Sequence, residues 1–115
     1  MPTAFGVYLR KLLRERGWTQ NAFADKVGRS RGNLSNIIKG EGYAVQEEDM
    51  DRWADILGLS GYERERFLNL ACITHIPQKF QGRFVAIVDQ AEKATEVVRQ
   101  TTELRNRLRE RGLKG

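Results

Sequence analysis

Apolar residues in the first two thirds of the chain recur with a helical period, in blocks punctuated by glycine. Phe5, Leu9, Leu12 and Leu13 stand at i, i+4, i+7 and i+8, which predicts an amphipathic helix from a Thr3 cap to about Arg16, closed by Gly17. Phe23, Ala24 and Val27 predict a second, shorter helix. Thr19 can cap it, Trp18 has the staple spacing to Phe23, and Gly28 suits a left-handed stop. Ser30 can cap a third helix whose Leu34, Ile37 and Ile38 share one face, before Gly40-Glu41-Gly42 opens a loop to Val45. Met50, Trp53, Ala54 and Leu57 mark a fourth helix ending at Gly58, with Glu47, Glu48 and Asp49 where the helix dipole favours carboxylates. Ser60 and Glu63 have capping-box spacing for a fifth, whose inward positions are Phe67, Leu70, Ala71 and Thr74. The expected class is all-α.

His75-Ile76-Pro77 then reads as a linker, because Pro77 cannot continue a helix and biases Ile76 toward an extended backbone. This divides the chain into a five-helix domain (1–74), a linker (75–77) and a C-terminal segment (78–115). The pattern from Gln78 to Arg111 predicts one helix of about 50 Å at 1.5 Å per residue, weakened in propensity only at Gly82. Phe84, Ile87, Ala91, Ala94, Val98 and Thr101 alternate at steps of three and four, and Val97, Thr101, Leu104 and Leu108 form a slightly rotated seam. A helix this exposed needs a partner. The expected dimerisation set is Phe84, Ile87, Ala91, Ala94, Val98, Thr101, Leu104 and Leu108; the alternative is that the helix folds back on its own domain. Glu103 and Arg107 have the spacing of an i, i+4 ion pair, and Arg105, Arg107, Arg109 and Arg111 form either a solvated face or an anion-binding patch.

With its two helices, caps and turn in view, the stretch from Thr19 to Lys39 resembles the helix-turn-helix of the phage-repressor-like family, the Cro and lambda-repressor or xenobiotic-response-element type. Gln20 opens the first helix, small Ala24 allows a close crossing, Gly28 makes the turn, and Leu34 and Ile37 plug the second helix onto the core. Arg29 departs from the pattern, since that position more often carries an apolar side chain. The resemblance covers residues 4–71 and implies a five-helix lambda-repressor-like domain whose second motif helix enters the major groove. It places Arg31, Gly32, Asn33, Ser35 and Asn36 at base edges. Arg31 has the donors for guanine O6 and N7, and an asparagine amide suits adenine N6 and N7. Gly32 is a poor helix former, so its missing side chain either admits a base or is simply tolerated in a first turn. Phosphate contacts are expected from Gln20, Arg29, Ser30 and Lys39, and from Lys11 and Arg14 on the first helix, for which a plain solvated face is the other reading. Tyr43 either touches sugar or phosphate, or plugs the domain.

Charge agrees with this placement. The chain carries a net +5 over 115 residues, and up to Val45 eight basic residues face three acidic ones, whereas Gln46 to Gln78 has three basic against seven acidic. Positive charge lies on the half that holds the motif, as a polyanionic partner requires. Cys72 is the single cysteine, which rules out an intrachain disulfide and predicts a core thiol in a reducing compartment. His75 is the single histidine and has no ligand spacing around it, so neither a metal nor another cofactor is expected. No acid–base pair or nucleophile constellation suggests an enzyme. No apolar run spans a membrane, and no leader pattern opens the chain. The expectation is a cytoplasmic, nucleoid-associated repressor that acts as a homodimer on inverted-repeat double-stranded DNA; the rival is an antitoxin-like or adaptor protein whose last helix binds a protein partner.

Overall fold

The computed structural model describes residues 3–112, and all of their regular structure is helical: α1 (Ala4–Arg16), α2 (Gln20–Val27), α3 (Arg31–Lys39), α4 (Glu47–Ile56), α5 (Gly61–Ile73) and α6 (Gln78–Gly112). Two compact units result, one ending at Val85 and the other beginning at Ala86. The first three helices start where the sequence offers a hydroxyl. Thr3 Oγ1 accepts from Gly6 N, Thr19 Oγ1 from Ala22 N and Ser30 Oγ from Asn33 N, each at 3.0 Å, satisfying a backbone donor that a helix start leaves free.

Five helices share one core in the first unit. Phe5, Leu9 and Leu12 of α1, Phe23 and Val27 of α2, Leu34 and Ile38 of α3, Trp53 of α4, and Phe67 and Leu70 of α5 are all fully buried. Phe23 meets Trp53 edge to face at 5.6 Å between centroids, and Phe5 meets Phe67 at 5.4 Å. Such pairs add to area burial because ring edges and faces carry opposite partial charge. At the outer edge of α1, burial pushes the Tyr8 phenol up to about 12, with the Glu63 carboxylate adding to the effect, so it stays a neutral hydroxyl. It donates to the Glu63 carbonyl at 3.4 Å.

α1 and α3 are locked together at a contact that periodicity does not reveal. Thr3 donates to Ile38 O from both its backbone N, at 2.9 Å, and its hydroxyl, at 3.1 Å. A Cβ on Gly6 would lie 2.4 Å from the same Ile38 oxygen. Glycine is required there because the helices approach backbone to backbone. Gly6→Ala should lower stability by about 2 kcal/mol or more through overpacking, read as a drop in the urea midpoint at unchanged slope. An unchanged midpoint would show that the crossing yields freely.

Several expectations are corrected. In α4 the interior is taken by Asp49 together with Trp53, Ala54 and Leu57, while Met50 is half-buried. Asp49 lies four residues before Trp53 and therefore points with it to the core. Ser60 precedes α5 as expected but makes no side-chain cap bond, so the capping box is not formed. Thr74 is half-buried and turned to a loop, as described below. Cys72 is exposed, not in the core, because it lies on the side of α5 opposite Leu70 and Ile73. In α6, Glu103 pairs with Arg99, which also holds Glu96; the ion pair runs to the preceding turn and not to Arg107.

α6 is continuous from Gln78 through Gly82. Pro77 does more than stop α5: its carbonyl accepts from Phe80 N at 2.8 Å and so starts α6, a place where a proline's missing N–H costs nothing. Beyond Ala86, considered by itself, the helix leaves Ile87, Val97, Val98, Leu104 and Leu108 exposed, Ile87 at 60% and Val98 at 63%.

Candidate nucleic-acid interface

The turn between α2 and α3 is built by Gly28 at φ 72°, a left-handed conformation that other residues adopt at a cost. It lets Gly28 N and Arg29 N donate to Asp25 O and Ala24 O at 3.3 and 3.1 Å, which closes the end of α2. Ser30 then returns to extended backbone and caps α3. With Leu34, Ile37 and Ile38 buried, the other side of α3 is presented outward. Arg31, Gly32 and Lys39 are exposed, and Asn33, Ser35 and Asn36 are half-buried.

Among the described residues Arg31 is restrained only by Asp25, at 3.5 Å, with both side chains mostly exposed. Such a contact contributes little in water and is readily exchanged for another acceptor. Among the described residues, nothing beyond its own neighbours and the adjoining helix backbone lies within 4 Å of where a Cβ on Gly32 would sit. The glycine is thus not imposed by packing within the chain.

The residues named for phosphate divide into two groups. Gln20 sits half-buried at the first position of α2, Ser30 and Lys39 are exposed, and on α1 Arg14 and Lys11 are exposed, Lys11 with Glu15 at 3.9 Å. Arg29 is different. Its Nε donates to Asp49 Oδ2 at 2.7 Å and its Nη2 contacts the same oxygen, so two of its three nitrogens face a carboxylate whose side chain is 3% exposed. The other oxygen of Asp49 accepts from Arg52 Nη2 at 2.7 Å, and that nitrogen also donates to Val27 O at 2.7 Å. A buried carboxylate therefore ties α4 to the end of α2 and to the first residue after the turn. Sequence reading missed Asp49 and Arg52. The available signals were the departure at Arg29 and the four-residue step from Asp49 to Trp53.

The loop after α3 is clamped at Val45. Its N–H donates to Thr74 Oγ1 at 3.1 Å and its carbonyl lies 2.6 Å from His75 Nε2. Of the two roles open for Tyr43, the core plug is not realised: the residue is 48% exposed. It borders a cleft of about 320 Å³ shared with Thr3, Thr74 and Gln78. Among the described residues no three of His, Cys, Asp and Glu gather as a metal cluster, and no helix is long and apolar enough to cross a membrane.

Residues 4–67 match a family described as a helix-turn-helix domain. No curated protein and no solved structure matches the chain significantly.

Proposed function

Since the chain belongs to the helix-turn-helix domain family, which matches 64 of its 115 residues, we propose that it is a sequence-specific DNA-binding transcriptional regulator of the phage-repressor type. The observation that carries this reading is the face of α3. Its side toward the domain is fully apolar, while Arg31, Gly32, Asn33, Ser35 and Asn36 occupy the first turns of its outward side. That is where a recognition helix meets base edges. Lys39, Ser30, Gln20, Lys11 and Arg14 supply the sequence-independent grip on phosphates. Arg29 serves chiefly to hold the turn through Asp49 and lends its remaining nitrogen to phosphate.

The protein acts as a dimer. The exposed seam of Phe84, Ile87, Ala91, Ala94, Val98, Thr101, Leu104 and Leu108 is apolar enough to call for a partner, and a second copy is the simplest one. Two α3 helices would then read half-sites about 34 Å apart or a multiple of it, hence an inverted-repeat operator occupied in repression. The same exposed seam suits a second reading, an antitoxin-like or adaptor protein whose α6 binds a different helical partner. Truncation before Pro77 separates them: the second reading expects DNA affinity to survive and a heterologous complex to vanish.

Three substitutions on α3 test the first reading. Asn36→Ala should relax sequence preference by about 1–3 kcal/mol at the base pair it reads, whereas Lys39→Ala should weaken all duplexes alike and reduce the salt slope by about 1. Gly32→Ala should leave the fold as stable or raise it by up to about 1 kcal/mol, through better helix propensity, yet lower affinity for a selected duplex about tenfold as the methyl meets the groove. Binding competition against selected and scrambled duplexes reads all three. Uniform loss with Asn36→Ala, together with full affinity in Gly32→Ala, would remove α3 as the reading element.

A further inference from the structure

We propose a soft-metal site on the face of the domain formed by Met50 of α4 and by Cys72 and His75 at the end of α5, specific for a monovalent ion of the copper(I) type. The proposal does not depend on DNA binding. Cys72 Sγ lies 3.9 Å from Met50 Sδ. With metal–sulfur bonds of about 2.3 Å, two sulfurs at that separation enclose an angle of about 115° at a shared ion, between trigonal and tetrahedral.

His75 brings the third donor. It follows Cys72 by three residues across the last turn of α5, where His75 N donates to Cys72 O at 3.1 Å, and Met50, Cys72 and His75 all border one open cleft of about 530 Å³. Its Nε2 is 2.6 Å from the Val45 carbonyl, which can only accept, so the neutral ring has its hydrogen on Nε2 and its lone pair on Nδ1. A ring nitrogen fixed by a backbone carbonyl while the other is left to ligate is the usual support of a metal-bound histidine.

The donor set decides the class of ion. A thiolate, a thioether and an imidazole select copper(I) over hard cations. Glu47 and Asp51 border the cleft but do not join these residues as a carboxylate-containing cluster, which would have favoured zinc. Binding releases the Cys72 thiol proton to solvent and involves no electron transfer. It also immobilises His75 on the Val45 carbonyl, and so reaches the loop that leaves α3.

The test is a titration of the reduced full chain with silver(I), a redox-inert substitute, and with copper(I) against a chromogenic chelator. One ion per chain is expected. Met50→Leu, which conserves volume, and His75→Gln should each weaken binding at least tenfold, and Cys72→Ser should abolish it, all with unchanged circular dichroism. X-ray absorption should show two sulfur ligands and one nitrogen. Wild-type affinity in Met50→Leu and His75→Gln would reduce the site to a bare thiol and overturn the proposal. So would one ion shared by two chains, or zinc displacing copper(I) at equal concentration.

Discussion

Asp49→Ala is expected to destabilise the domain by about 2–3 kcal/mol, more than any other single polar change. Removing one side of a buried charge cluster strands the groups that faced it, at about 3–5 kcal/mol when the remainder is fully enclosed. Here Arg29 and Arg52 are partly exposed and can recover water, which brings the figure to the lower end. The effect should extend to function, because this carboxylate holds the residue after the turn and, through Arg52, the Val27 carbonyl at the end of α2. Urea unfolding should show the lowered midpoint. Asp49→Asn, which keeps the shape and loses the charge, should cost about half as much. The double variant Arg29→Leu with Asp49→Leu should recover only part of the loss, since an apolar pair replaces the Arg29–Asp49 ion pair while Arg52 is left to solvent. If Asp49→Ala unfolds like the parent, the cluster is a surface ornament and the turn is held by apolar packing alone.

The second large effect is expected from α6. Ile87→Glu combined with Val98→Glu places two carboxylates on the seam at positions that are already exposed in the single chain, so the stability of the first unit should not change. Light scattering should shift from two chains to one. Affinity for DNA carrying two half-sites should fall on the order of 100-fold or more, because the second head no longer binds as an intramolecular event, while affinity for a single half-site should be unaltered. A parent chain that is already monomeric at tens of micromolar would refute the dimer, and would leave the seam to another partner or to its own domain.

Much of the architecture was legible because caps, glycines and apolar spacing agreed at the first three helices. Thr3, Thr19 and Ser30 cap as their positions imply, and Gly28 adopts the positive φ that its place after Val27 calls for. What escaped were features set by tertiary contact. Asp49 looks like one more acid at a helix start until α2 is packed beside it. Gly6 looks incidental until the Ile38 carbonyl arrives 2.4 Å from its absent Cβ. Residue type alone places Cys72 in the core, but its register on α5 sets it apart from Leu70 and Ile73 and leaves it exposed. At the candidate interface, the outward side of α3 could be derived from the burial of Leu34, Ile37 and Ile38, but the attachment of Arg29 could not, since its partner lies twenty residues away in sequence.

Whether α3 reads DNA sequence from a scaffold that grips phosphate is tested most directly by a salt titration on a duplex selected from a random pool, set beside a scrambled duplex. Lys11, Arg14 and Lys39 are the exposed cations of the grip, Lys11 in a solvent-exposed contact with Glu15, while Arg29 is turned toward Asp49. Log affinity against log salt should therefore fall with a slope of about −3 per domain, or about −5 to −6 for a dimer. At physiological salt the selected duplex should bind about a thousandfold or more tightly than the scrambled one. A slope near zero, or equal affinity for both duplexes, would show that α3 is not a sequence-reading element.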